Sequence, residues 1–302
     1  MIASLGTAVP PVPGSVRGEI RGLRKGNAVD VRVLGPVSVH EQGRSVLPTA
    51  GKPRQLLALL ALRGNHLVTV GTLMQEVWGS RPPRSASTTL QTYVLQLRRL
   101  LAEAQQDRDG GAVGRAKEIL QTRPGGYRLV LASGRVDALE FEQLAAAGRR
   151  AAAAGDDHAA SGLLDRALQL WQGSALMDIG LGDVLELEAL ALEEARTAAL
   201  ECRIDVDLRL GRHAQLIPEL RVLAARNPMN ESVHRQLMLA FYRSGNAWRA
   251  LEAYHALRRT LRGELGLEPS ASLRRLQQAV LTDAPELSDT LATWSAALPA
   301  AA

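Results

Sequence analysis

Ser85-Ala86-Ser87-Thr88-Thr89-Leu90-Gln91-Thr92-Tyr93-Val94-Leu95-Gln96-Leu97-Arg98-Arg99-Leu100-Leu101 decides the reading of this chain, together with Thr122-Arg123-Pro124-Gly125-Gly126-Tyr127-Arg128-Leu129 about twenty residues later. In the first stretch Leu90, Val94, Leu97 and Leu101 recur at i, i+4, i+7 and i+11, which places them on one buried stripe of a helix. Thr88, Gln91, Thr92, Gln96 and Arg99 fall off that stripe and carry polar groups suited to base edges and phosphates. The second stretch predicts a β-hairpin with an arginine on each arm and a Pro-Gly-Gly turn between them. A polar-faced helix followed by a basic hairpin is the layout of a winged helix-turn-helix, which makes double-stranded DNA the expected partner.

Charge supports that partner. Residues 1–136 hold 19 Lys plus Arg against 8 Asp plus Glu, whereas residues 137–302 hold 17 against 23. A net charge of +11 therefore precedes one of −6, as expected when a polyanion-binding module is joined to a module with another purpose. The 302 residues suffice for two domains, and 46% hydrophobic with only 3% aromatic residues suits a helix-rich chain built on Leu and Ala. A single cysteine, Cys202, excludes an internal disulfide and fits a cytoplasmic protein. No apolar run approaches the ~18 residues of a membrane span, so no membrane is expected. None of the six histidines has a metal-ligand spacing, and no phosphate loop or nucleophile motif appears. An enzyme is therefore not expected, nor are a metal or cofactor.

The expected fold is mainly α in two domains: an arm over 1–28, a winged helix over 29–134, an all-α tetratricopeptide-like superhelix over 137–283, and a flexible tail over 286–302. Short β-formers at Val31–Leu34, Val37–His40 and Ser45–Leu47 predict a small antiparallel sheet. Helices are expected from Pro53–Arg54 to Leu62, and over Val70–Val77 behind a Thr69 N-cap. Arg81-Pro82-Pro83-Arg84 reads as a stiff basic loop, and Gln105–Gly114 as a polar one. Beyond Gly134 seven Ala/Leu helices follow. Leu210-Gly211-Arg212-His213-Ala214 and Ser244-Gly245-Asn246-Ala247-Trp248 place two glycines 34 residues apart, the period of a tetratricopeptide hairpin. Trp171, Trp248, Tyr242, Tyr254 and Phe241 are expected to pack this half.

Leu34-Gly35-Pro36-Val37, the run Leu90–Leu101, the wing Pro124–Leu129 and the terminal Leu261-Arg262-Gly263-Glu264-Leu265-Gly266-Leu267-Glu268-Pro269-Ser270 occur in family order. Over roughly 31–282 the chain resembles the SARP-type antibiotic regulatory proteins, which pair an OmpR-type winged helix with a bacterial transcriptional activation domain. The resemblance implies a transcription activator of a secondary-metabolite gene cluster that binds promoter direct repeats, as a homodimer on DNA, and recruits RNA polymerase. No ATPase segment of the kind found in larger members is expected. Carried over by position, Thr88, Thr92 and Gln96 face the groove, and Arg98 and Arg99 stand at the basic end of the recognition helix, with Gln91 a DNA-binding candidate from the helical pattern. Arg123, Tyr127 and Arg128 belong to the wing. From the residues themselves, Lys52 and Arg54 at a helix start suit a phosphate, and Arg81 and Arg84 are open between a phosphate contact, a polymerase contact and solvent. OmpR-type domains usually carry a basic residue where Gln96 stands, so amide readout of adenine is expected there. The rival reading is a tetratricopeptide-like adaptor whose winged helix binds no DNA.

Overall fold

The computed structural model describes residues 29–41, 43–104, 112–131 and 134–284. The expectations for the arm and the tail lie outside them, as does the Gln105–Gly111 part of the polar loop.

The chain begins with β1 (Val29–Arg32), β2 (Ser38–Glu41) and β3 (Arg44–Ser45), an antiparallel sheet in which Val31 faces Val39. Val29, Val31 and Val39 alternate inward, so one face of this sheet is apolar and must be covered. Those valines belong to the same apolar cluster as helix α1 (Gly51–Leu62). In α1 the run Leu56, Leu57, Ala58, Leu59, Leu60 and Ala61 is buried all round, which makes this helix the centre of the domain.

Two residues of β4 (Val68–Thr69) then lead into α2 (Val70–Trp78), where Thr69 Oγ1 accepts from the Thr72 amide at 3.1 Å as the expected N-cap. The Arg81–Arg84 loop precedes α3 (Ala86–Ala104). The segment read as loop up to Gly114 differs from expectation at its end, because α4 (Ala112–Ile119) begins there. Gly114 disfavours helix, but Ala116 and Ile119 are buried where α4 packs on α3, and that burial overrides the local preference. Strands β5 (Leu120–Arg123) and β6 (Gly126–Leu129) form the hairpin, with β4 pairing on the free side of β6. The Pro-Gly-Gly turn needs both glycines. Gly125 has φ +81°, and a Cβ on Gly126 would lie 2.1 Å from the Val68 carbonyl oxygen.

The second half comprises α5 (Asp137–Ala153), α6 (Asp157–Gln169), α7 (Asp183–Arg209), α8 (His213–Arg226), α9 (Glu231–Arg243), α10 (Ala247–Leu265) and α11 (Ala271–Leu281). These are the seven helices expected beyond Gly134. Gly211 and Gly245 turn α7 into α8 and α9 into α10 with nearly equal φ, +79° and +76°, so the two junctions repeat in backbone as well as in sequence. Trp171, Phe241 and Tyr254 are buried as expected, whereas Trp248 is 62% exposed. It stands in the first turn of α10, where the Arg249 guanidinium lies 5.1 Å from its ring centroid.

The two halves share a core. One apolar cluster runs from Val29 through α1, α3 and the hairpin into α5, α6 and along α7 as far as Val206, and a second takes Ile204 and Leu208 of α7 and fills α8 to α11. The junction at 134–136 pairs with β1: the Val31 amide donates to the Arg135 carbonyl at 2.8 Å. Asp137 then accepts from the amides of Val33 and Leu34 at 2.9 to 3.1 Å.

Candidate nucleic-acid interface

The α3 helix divides cleanly by exposure. Ala86, Leu90, Val94, Leu97, Leu101 and Ala104 are buried, while Thr88, Gln91, Thr92, Leu95, Gln96 and Arg99 form a continuous exposed stripe at i, i+3, i+4, i+7, i+8 and i+11. Sequence reasoning named every member of that stripe except Leu95, which is 54% exposed. The helical spacing alone puts Leu95 between Gln91, Thr92 and Gln96, Arg99. An apolar side chain there suits the thymine methyl group, the one apolar feature of the major groove.

Arg98 departs from the expected surface role. Its Nε and Nη2 donate to the Leu120 carbonyl at 3.0 and 2.8 Å, and Nη2 also donates to Thr122 Oγ1 at 2.8 Å. The guanidinium thus ties α3 to the first strand of the hairpin, and burial pushes its pKa below the usual arginine value. Tyr127 is likewise corrected: at 8% exposed it belongs to the core beneath the hairpin and has little surface to offer a duplex. The arginines of the wing remain outside, Arg123 exposed and Arg128 half-buried, both donating to Gln121 Oε1.

Around α2 the basic residues separate. Lys52 is exposed, its ammonium 5.5 Å from the Trp78 ring centroid, and Trp78 stacks on Tyr93 at 6.2 Å. Arg54 turns toward the protein itself: it donates to the Pro48 carbonyl at 3.0 Å and lies 3.9 Å from Asp178 of the helical half. Arg81 and Arg84 are exposed on the α2–α3 loop.

The back of α2 is where the helical half takes hold. Glu76, 2% exposed, accepts from the amides of Gly182 at 2.7 Å, Leu185 at 2.8 Å and Val184 at 3.2 Å, capping α7 from the other half of the chain. Burial pushes the Glu76 carboxyl above the usual carboxylate range, against the pull of those three amides. Gln75 bonds Asp183, and Arg63 at the end of α1 pairs with Glu188. The helix pair that presents the α3 stripe is thus anchored on the N-terminus of α7. Among the described residues no group of three or more His, Cys, Asp or Glu could hold a metal, and no helix is long and apolar enough to cross a membrane.

A trihelical core with a β-hairpin wing, joined to a hairpin-repeat helical domain, defines the class of two-part winged-helix regulators. Comparison with known proteins agrees. The family "Transcriptional regulatory protein, C terminal" matches residues 44–129, and "Bacterial transcriptional activator domain" matches residues 136–281. Regulatory protein DnrI of Streptomyces peucetius is 47% identical over 257 residues, covering 85% of this chain and 93% of that protein. Transcriptional regulator RedD of Streptomyces coelicolor is 36% identical, covering 89% and 75%. Regulatory protein AfsR of the same organism is 38% identical, but the alignment spans only 24% of its length. The solved structure of Mycobacterium tuberculosis EmbR in complex with a low-affinity phosphopeptide superposes with a TM-score of 0.77 at 31% identity, covering 89% of this chain and 68% of that one. The chain belongs to the SARP-type family of transcriptional regulatory proteins.

Proposed function

We propose that this chain is a sequence-specific DNA-binding transcription activator that acts on a secondary-metabolite gene cluster. The observation that carries this reading is the α3 stripe: six exposed side chains in register on one face, backed by a fully apolar face, with two arginines on the neighbouring wing. An exposed helix face of this width fits the major groove, where Gln91 and Gln96 match the donor and acceptor pair of adenine and Leu95 matches a thymine methyl. Arg99, Arg123, Arg128 and Lys52 supply phosphate contacts that fix the register. The basic half therefore provides affinity and the stripe provides choice.

Promoter direct repeats would each take one winged helix, two protomers lying side by side on the DNA. The exposed Arg81–Arg84 loop and the acidic helical half would meet RNA polymerase, and the protein would work in the cytoplasm on the nucleoid. Competition between a selected duplex and its scrambled counterpart tests the core of this reading. Gln96→Ala should narrow the gap between the two, and equal losses on both would remove Gln96 from readout.

A further inference from the structure

The wing gathers two arginines around one neutral acceptor. Gln121 and Arg128 face each other across the antiparallel pair β5–β6, and Arg123 lies two residues along on the same face of β5. Gln121 Oε1 accepts from Arg123 Nε at 3.1 Å, from Arg123 Nη2 at 2.7 Å and from Arg128 Nη2 at 2.8 Å. The amide is not free to turn, because its Nε2 donates to the Glu118 carbonyl at 2.9 Å. Arg128 is half-buried, and among the described residues its Nε has no hydrogen-bond partner.

A cross-strand pair of this kind ordinarily gains by opposite charge, and a carboxylate at position 121 would satisfy the same donors. The glutamine offers the acceptor without the charge. Both guanidinium groups therefore converge while keeping their full +2, a geometry that costs repulsion in the free protein and is relieved by an anion at the wing. On the reading that the chain binds DNA, that anion is a phosphate of the duplex backbone.

We infer that Gln121 is a positioning residue of this interface: its neutral amide oxygen holds Arg123 and Arg128, which pair with no carboxylate among the described residues, as one clamp for a backbone phosphate. The distinction between an amide and a carboxylate is what the clamp depends on. The substitution Gln121→Glu would keep an acceptor for both arginines, give up the bond to the Glu118 carbonyl and cancel much of the attraction for phosphate, whereas an apolar residue would free the arginines without discharging them.

The experiment uses the full chain and a random-sequence duplex, with affinity followed across a series of salt concentrations. For Gln121→Glu the thermal midpoint should change little, the two new ion pairs offsetting the lost bond to Glu118, while the affinity should fall about tenfold near 0.1 M salt and the slope of log K against log salt should shrink by about one to two. For Gln121→Met the slope should stay near that of the unaltered chain while affinity falls by about threefold, since the charges remain and only their aim is lost. Gln121→Glu with unchanged affinity and slope would overturn the inference while leaving the DNA-binding reading intact. An unaltered chain that binds no duplex at any salt would remove that reading, and the inference with it.

Discussion

At Arg98 the guanidinium closes three hydrogen bonds on the hairpin, and the Leu120 carbonyl that receives two of them belongs to a fully buried residue. Arg98→Ala should leave that acceptor unpaired and destabilise the chain by about 1–3 kcal/mol, read as a lower denaturant midpoint. A midpoint equal to that of the unaltered chain would return Arg98 to a surface role. Gln96 and Thr92 differ, because they are exposed and support no other element. Gln96→Ala or Thr92→Ala should leave stability within about 0.5 kcal/mol. Each should relax preference at particular base pairs by about 1–3 kcal/mol in competition binding. Arg99→Ala should instead weaken all duplexes alike. The sequence distinguishes the stripe from the core by spacing alone, yet it does not separate Arg98 from Arg99. Both fall at the basic end of α3, and only the approach of Leu120 and Thr122 from a distant strand sets them apart.

Among the elements, the long amphipathic helices are legible because their apolar periods and their Gly, Asn and Ser boundaries agree with one another. Asn230 and Ser270 cap α9 and α11 through side-chain oxygens. The α4 helix is not legible, because its eight residues include Gly114 and its stability comes from Ala116 and Ile119 where it meets α3. The short β4 strand escapes for a similar reason: Val68 and Thr69 acquire their pairing only when β6 arrives. Within α9, His234 is 5% exposed and its Nδ1 lies 3.0 Å from the Asn230 carbonyl. Burial pushes its pKa below the ordinary histidine value of 6.5, outweighing the backbone contact. A depressed pKa means that the unfolded chain takes up the proton first. The stability due to neutral His234 is therefore present above about pH 6.5 and is lost as pH falls through its lower folded value. Glu76 and Asp137, raised by burial, act in the opposite sense, losing their contribution as pH rises through their folded values. The comparison of variants isolates the histidine: His234→Gln should flatten the fall in thermal midpoint between about pH 7.5 and about pH 5.5 relative to the unaltered chain. Parallel pH profiles would contradict the assignment.

Over the whole molecule, the charge division at residue 136 and the packing division fall in different places. The charge changes sign where α5 begins, but the first core continues into α7 and the second starts near Ile204. The sequence shows the change in composition; the shared core depends on contacts across more than 100 residues, such as Asp137 on the Val33 amide and Glu76 on the start of α7. Gly182 is the tightest of these junctions, since a Cβ there would lie 1.9 Å from the Glu76 carbonyl oxygen. Gly182→Ala should push α2 away from α7 and cost about 1–3 kcal/mol, with amide exchange rising in α2 as well as at the α7 start. Faster exchange confined to α7 would show the two halves to be independent. This junction also gives α2 a fixed bearing on the helical half.

The measurement that bears most directly on the central claim is selection of bound duplexes from a random library by the purified full-length chain at two salt concentrations. The account predicts enrichment of a short motif, repeated at about one helical turn, with binding that weakens steeply as salt rises. A folded chain that enriches no sequence at either salt would contradict it.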